Sequence, residues 1–309
     1  MGGHDHDHGV GAYATATARH RRRLVVVIVI TVAVLGVQIA GAALSGSLAL
    51  LADAGHMLTD ASGVAIALIA SVIAARPPTP KRSFGLQRVE ILAALVNGVL
   101  IAVIAVVILV EAIRRFGAEP DVAAGPMLVA AIIGAVANLV SLLVLRGGRT
   151  ESLNIRGAYL EVLGDLLGSL AVIAAAIVIA LTGWEYADPI ASILIAVLIA
   201  PRAYSLLADV VHVLLEATPK DVDLETARRH LLAVPGVVDV HDMHAWTITS
   251  GVKVFSAHVV VEDAVLADGD TDAILDRLSE CLTGCFGTEH CTFQLEPASH
   301  GIHEATAHA

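Results

Sequence analysis

An α-helical membrane protein, with six transmembrane helices followed by a small α+β domain, is the fold class this 309-residue sequence predicts. Three observations carry it. Apolar runs of about 20 residues, the length that crosses a hydrocarbon core of about 30 Å, recur through the first 207 positions. The mean hydropathy is +0.77, with 56% hydrophobic and only 16% charged residues, too apolar for an ordinary soluble or a disordered chain. Charge is divided unevenly: residues 1–207 carry 14 basic and 13 acidic side chains, whereas 208–309 carry 5 and 17. The chain is therefore a near-neutral apolar part joined to an acidic, water-soluble part.

Each span follows from its run. Residues 24–45, 91–110 and 122–145 carry no charge, whereas 48–75 and 157–181 are equally long but interrupted by ionisable residues; a shorter sixth run covers 186–207. Arg21, Arg22 and Arg23 before the first run resemble the start of a signal peptide. A signal's apolar region is about 7 to 15 residues, however, and 24–45 is longer and followed by more spans, so it reads as a membrane helix. Lys and Arg in short loops stay on the cytoplasmic side. Arg19 and Arg21 to Arg23 precede span one, Arg76, Lys81, Arg82 and Arg88 follow span two, and Arg146, Arg149 and Arg156 follow span four, against Arg114 and Arg115 on the other side. Both termini are expected in the cytoplasm of a cell whose plasma membrane the chain crosses.

Beyond Asp221 the pattern changes. Helical spacing over 223–232 is followed by two alternating runs, 237–248 and 252–261, separated by Ser250 and Gly251 as in a hairpin; a helix over 272–285 and a strand over 291–296 complete the order. Helix, strand, strand, helix, strand implies an open sheet with helices on one face. The resulting division is a His-containing tail (1–23), a six-helix domain (24–207), a cytosolic α+β domain (208–297) and a second His-containing tail (298–309). Three cysteines make no secretory framework and suit a reducing cytosol. With 5 Phe, 4 Tyr and 2 Trp the chain lacks the aromatic platform of a nucleic-acid binder.

The chemistry lies in the ionisable residues within the spans, which are costly there and by default face a cavity or a partner. His56 and Asp60 are four apart in span two, on one face of a helix, with Asp53 three residues back on the same stripe. Span five repeats the spacing with Glu161 and Asp165. Two such pairs supply the four oxygen and nitrogen ligands that tetrahedral Zn2+ or Co2+ takes. All four donors also bind protons, so metal and protons compete. The plainer reading is that each pair is an internal hydrogen bond or sits at a span end near water. Of 14 histidines, His56 is the one expected inside a span.

At these residues the sequence resembles the cation diffusion facilitator family of zinc, cobalt and cadmium exporters. The resemblance runs through SLALLADAGHMLTD at 47–60, FGLQRVE at 84–90, GAYLEVLGDLLGS at 157–169 and HDMHAW at 241–246, and covers nearly all of 20–297. It implies a homodimer with ferredoxin-like cytosolic domains for dimerisation and metal sensing, and proton-coupled efflux of divalent metal by alternating access. The partners implied are metal ions, protons, the lipid bilayer and a second copy. It also implies no enzymatic activity and no resident cofactor, with Zn2+ as cargo and regulatory ligand. His56, Asp60 and Asp165 fall on the family's transport ligands, and Glu161 stands where zinc-type members usually have His. His241, His258 and Glu296 resemble the cytosolic metal site, with Gln294 in place of a frequent His.

Alternatives from the residues are a membrane-anchored metal sensor, an exporter preferring Mn2+ or Fe2+ because Glu161 is a harder ligand, and an intramembrane metalloenzyme, which the absence of an H-E-x-x-H sequence disfavours. The loop 146–156 lacks a His-rich insertion, and His4, His6, His8, His300, His303 and His308 in the tails are candidates to collect metal instead. Cys281 and Cys285 read as small buried hydrophobes. Asn97 and Asn138 read as interhelical hydrogen-bonding groups, Ala33, Gly36 and Gly41 as sites of close helix approach, and Arg88 and Glu90 as a pair.

Overall fold

The computed structural model describes residues 10–117, 121–146, 153–267, 271–288 and 290–299. The two His-containing tails over 1–9 and 300–309, and positions 147–152 of the loop after span four, lie outside the described residues. Among the described residues, six helices are long and apolar enough to cross a membrane: α1 (Val10–Ser45), α2 (Leu48–Ala74), α3 (Val89–Arg115), α4 (Ala124–Arg146), α5 (Leu153–Thr182) and α6 (Ala187–Leu214). They match the six expected runs, and the differences fall at their ends. α1 begins at Val10, although its membrane-length part is Val25–Ser45. Hydropathy marks where lipid is, whereas the helix also continues through alanine-rich sequence that favours it. α3 runs on to Arg115, with Glu111 within 4.0 Å of Arg114 and Arg115 along its last turn. α6 reaches Leu214 and so includes His212, which makes His56 not the only histidine within the spans. His212 sits near the helix end, with Nε2 2.8 Å from the Thr218 carbonyl.

The chain forms two units, residues up to 64 with 97–204, and 65–96 with 205–309. In the first unit the outward surfaces are apolar and the interior holds polar groups. Leu68, which lies beyond this unit, and Val106, Leu143 and Leu198, which lie in it, are all exposed, whereas Gln38, Asp53, Ser141, Asp165, Ser169, Asp188 and Ser192 are buried. That distribution suits lipid outside and protein inside. Gly41 is the small-residue contact that materialises: a Cβ there would lie 2.4 Å from the Ala130 Cβ of α4. Ala33 and Gly36 instead face outward. Asn97 packs against Gly63 of α2, and the buried Asn138 amide has no hydrogen-bond partner among the described residues, so the expected bond across the helices is not made.

The start of α2 is fixed by α6. Asp188 is fully buried and accepts from the Ser47 hydroxyl at 2.5 Å, the Leu48 amide at 2.8 Å and the Ala49 amide at 3.1 Å, while Arg115 Nη1 lies 3.2 Å from it. These amides are the unpaired donors of a helix start, and a carboxylate is their best acceptor. Gly46, at φ +69°, makes the turn from α1 into α2. Its carbonyl accepts from Arg115 at 2.8 Å, and a side chain there would meet the Asp121 carbonyl.

The second unit contains α7 (Leu224–Leu232), β1 (Val237–Thr249), β2 (Val252–Val261), α8 (Asp263–Ala267), α9 (Thr271–Phe286) and β3 (His290–Pro297). The short α8 was not legible in the sequence. β1 and β2 are antiparallel, β2 and β3 parallel, in the order β1-β2-β3. Asp223 caps α7 by accepting from the amides of Glu225 and Thr226. Val240, Ala245, Phe255, Ala257, Val259 and Val261 of the sheet pack with Leu231 of α7 and Ile274, Leu278 and Leu282 of α9. Side chains alternate across a strand, so their neighbours His241, His258, Gln294 and Glu296 project from the opposite face. Also in this unit, Arg88 and Glu90 do not pair with each other. Arg88 bridges to Glu216 at 2.8 Å, and Glu90 accepts from the Thr249 hydroxyl at 2.5 Å.

Candidate metal centres

The i, i+4 spacing of α2 brings His56 and Asp60 to one face, and α5 brings Asp165 to the same point. His56 Nε2 lies 3.6 Å from Asp60 Oδ2 and 3.7 Å from Asp165 Oδ1. One donor atom from each of the three falls within 4.8 Å of the others. These separations are too long for hydrogen bonds. They approach the ~3.3 Å between neighbouring donors around a tetrahedral ion bound at about 2.05 Å. His56 Nδ1 and Asp165 Oδ1 are buried without a hydrogen-bond partner among the described residues, which in a folded protein calls for a ligand or water. A cavity of about 210 Å³ opens onto the group, lined by Asp53, His56, Glu161, Gly164, Ile199 and Arg202 among others.

Glu161 is beside this group but differently engaged. Its Oε1 lies 3.1 Å from Arg202 Nη2, while Nη1 of the same guanidinium lies 2.9 Å from Asp60 Oδ1 and 3.0 Å from Asp60 Oδ2. Arg202, on α6 after Pro201, escaped the sequence reading, which weighed the acids and the histidine in the spans. The available signal was a cation within an apolar run, the same signal that marked His56. Asp53 lies deep in the protein rather than at a wet helix end: it is 1% exposed and accepts from Gln38 at 2.6 Å and Ser169 at 3.2 Å.

The second cluster lies on the open sheet face. His241, His258 and Gln294 are lateral neighbours across β1, β2 and β3. His258 Nδ1 lies 2.7 Å and His241 Nε2 3.6 Å from the two oxygens of Glu296, and Gln294 Nε2 donates to Glu296 Oε1 at 2.7 Å. Asp242, which sequence reasoning missed, sits at a bulge of β1 with φ +50°. Its carboxylate lies 3.2 Å from His244 Nε2 and 3.8 Å from His258 Nε2. The two α9 cysteines do not pack as core: Cys281 is half-buried and Cys285 exposed, while Leu278 and Leu282 fill the interior. Burial and the neighbouring Cys285 push the Cys281 thiol above its ordinary value, away from the thiolate a soft metal binds.

Six membrane-length helices, a buried nitrogen and carboxylate cluster among them and an acidic α+β domain define a multi-pass membrane protein built to pass cations. Residues 24–215 match the cation efflux transmembrane domain and residues 219–298 the cytoplasmic domain of cation efflux proteins. The chain belongs to the cation efflux, or cation diffusion facilitator, family, whose members are transporters and not enzymes. It is 44% identical over 261 residues to the metal cation efflux system protein CzcD of Cupriavidus metallidurans, covering 84% of this chain and 82% of that one. It is 42% identical to a cadmium, cobalt and zinc/H(+)-K(+) antiporter of Bacillus subtilis, covering 85% of each. The zinc transporter ZitB of Escherichia coli is 44% identical, over 84% of this chain and 82% of that one. A solved metal-bound C-terminal domain of the CzcD transporter is 37% identical, covering 24% of this chain and 99% of that one, with a TM-score of 0.22.

Proposed function

We propose that the protein exports divalent metal ions from the cytosol across the plasma membrane in exchange for protons, with Zn2+ the preferred cargo and Co2+ and Cd2+ also carried. The observation that carries this reading is the cluster of His56, Asp60 and Asp165, one nitrogen and two carboxylates gathered inside a membrane bundle with gaps of ion-donor size. Imidazole and carboxylate bind Zn2+ and Co2+ only when deprotonated, so loading releases protons and protons arriving from the other side displace the metal. Names given to similar proteins, a zinc transporter and a cadmium, cobalt and zinc/H(+)-K(+) antiporter, support both the ions and the coupling. Glu161 on its own would argue for a harder ion such as Mn2+. Its charge is matched by Arg202, which weakens that argument and leaves the zinc-type set as the better reading.

On this reading both termini face the cytosol, the division at 1–23, 24–207, 208–297 and 298–309 separates tail, transport, dimerisation and tail segments, and two copies pair through the α+β domain. His241, His258 and Glu296 then serve as a cytosolic metal site that reports the metal level. Proteoliposomes of the purified protein test the proposal. Addition of Zn2+ is expected to drive proton movement, and Asp165→Ala to lower it at least about 100-fold, as loss of a buried charged ligand would. Equal metal-driven proton flux in parent and variant overturns it.

A further inference from the structure

Arg202 is the charged group at the transport cluster that metal coordination does not use. Its guanidinium reaches Asp60 with one nitrogen, at 2.9 Å and 3.0 Å, and Glu161 with the other, at 3.1 Å. These are charge-assisted hydrogen bonds at their normal lengths, from a group that stays protonated throughout the physiological range. In the fully deprotonated form that metal binding requires, the carboxylates of Asp60, Glu161 and Asp165 carry three negative charges and Arg202 returns one positive charge. An uncompensated set of carboxylates is costly in a membrane interior, and a cation among them removes part of that cost.

We propose that Arg202 is a tethered cation that competes with the transported metal: it holds Asp60 and Glu161 in the metal-free carrier and must release Asp60 before an ion is fully bound. The inference rests on the transport-site reading above and adds a residue that sets its affinity. Two observations give it a route. Arg202 is 48% exposed, so its guanidinium can swing away on its flexible stem, whereas Asp60 is 10% exposed and stays at the cluster. The three-donor group forms without Glu161, so an ion meets a site in which one ligand is shared with the arginine and a fourth is withheld by it. Loading then displaces the guanidinium as well as protons, and the return of Arg202 to Asp60 helps to expel the metal. Glu161 acts as the anchor that keeps the guanidinium within reach.

The test is equilibrium dialysis of Zn2+ and Co2+ against the purified full-length chain at one fixed pH. Both the parent and the variants carry His241→Ala and His258→Ala, so that the sheet cluster does not contribute. Arg202→Ala is expected to tighten binding about tenfold, the effect of losing one competing charge-assisted contact. Arg202→Lys is expected to lie between, because an ammonium point charge does not bridge two carboxylates as a planar fork does. In proteoliposomes Arg202→Ala should release metal more slowly than the parent. Unchanged or weaker binding in a variant that elutes as the parent does overturns the proposal, and if Arg202→Ala does not fold, Arg202→Lys decides by the same criterion. Asp165→Ala separates the two levels. Binding lost in Asp165→Ala but not tightened in the Arg202 variants sinks the tethered cation alone, and binding retained in Asp165→Ala sinks the transport site with it.

Discussion

The bundle and the sheet each gather histidine and carboxylate, yet they hold them in opposite ways. In the bundle the donors stand 3.6 Å and 3.7 Å apart, and the excess negative charge is met by an arginine from a third helix. On the sheet, Glu296 is already engaged at 2.7 Å by His258 and at 2.7 Å by Gln294, with no Lys or Arg paired to it among the described residues. A group with gaps and an exchangeable counter-ion suits a cargo that must leave again. A group whose carboxylate is already engaged by its neighbours has to rearrange to admit an ion.

Three changes would break or sharpen that contrast. Glu161→His removes the anchor of Arg202 and adds a nitrogen donor, so the preference for Zn2+ over Mn2+ should rise about tenfold, read from competition between the two ions for flux. An unchanged ranking would show that position 161 does not touch selectivity. His258→Ala should remove one bound metal per chain, measured by elemental analysis after dialysis, while changing flux no more than about fivefold, a weak coupling between distinct sites. Abolished flux would mean that the sheet cluster is part of the transport step. The smallest effect concerns Asp223, exposed at the start of α7, whose carboxyl the Thr226 hydroxyl and the Glu225 and Thr226 amides hold below the ordinary value of 3.8. A depressed pKa contributes stability above that value and loses it as pH falls through the lower folded value. Hydrogen exchange of 224–232 should therefore show the parent better protected than Asp223→Ala at pH 7, with the difference shrinking as pH falls below the ordinary carboxylate range.

Much of this was legible in the sequence because membrane helices and half-buried strands write their period directly. The strand 252–261 appears at its expected bounds, α7 starts one residue later than expected, and α9 is one residue longer at each end. His56, Asp60 and Asp165 stood out as ionisable groups in lipid-length runs, and the i, i+4 rule predicted that His56 and Asp60 share a face. Arg202 is equally visible as a charge in an apolar run, but its partners lie 142 and 41 residues away and no local spacing links them. Asp242 illustrates a different limit. A positive φ in a strand follows from the bulge between His241 and His244, and a bulge depends on register with β2, which local pattern does not encode.

The Asp188 contact at the start of α2 bears on how such a bundle can move. One carboxylate of α6 terminates the helix that carries His56 and Asp60, and α6 also carries Arg202. Sliding α2 along its axis would strip two backbone amides and a hydroxyl of their acceptor in a fully buried position, a cost of several kcal/mol. The two helices are thus held together at the end where α2 starts. Asp188 therefore resists axial sliding between the helix that carries His56 and Asp60 and the helix that carries Arg202.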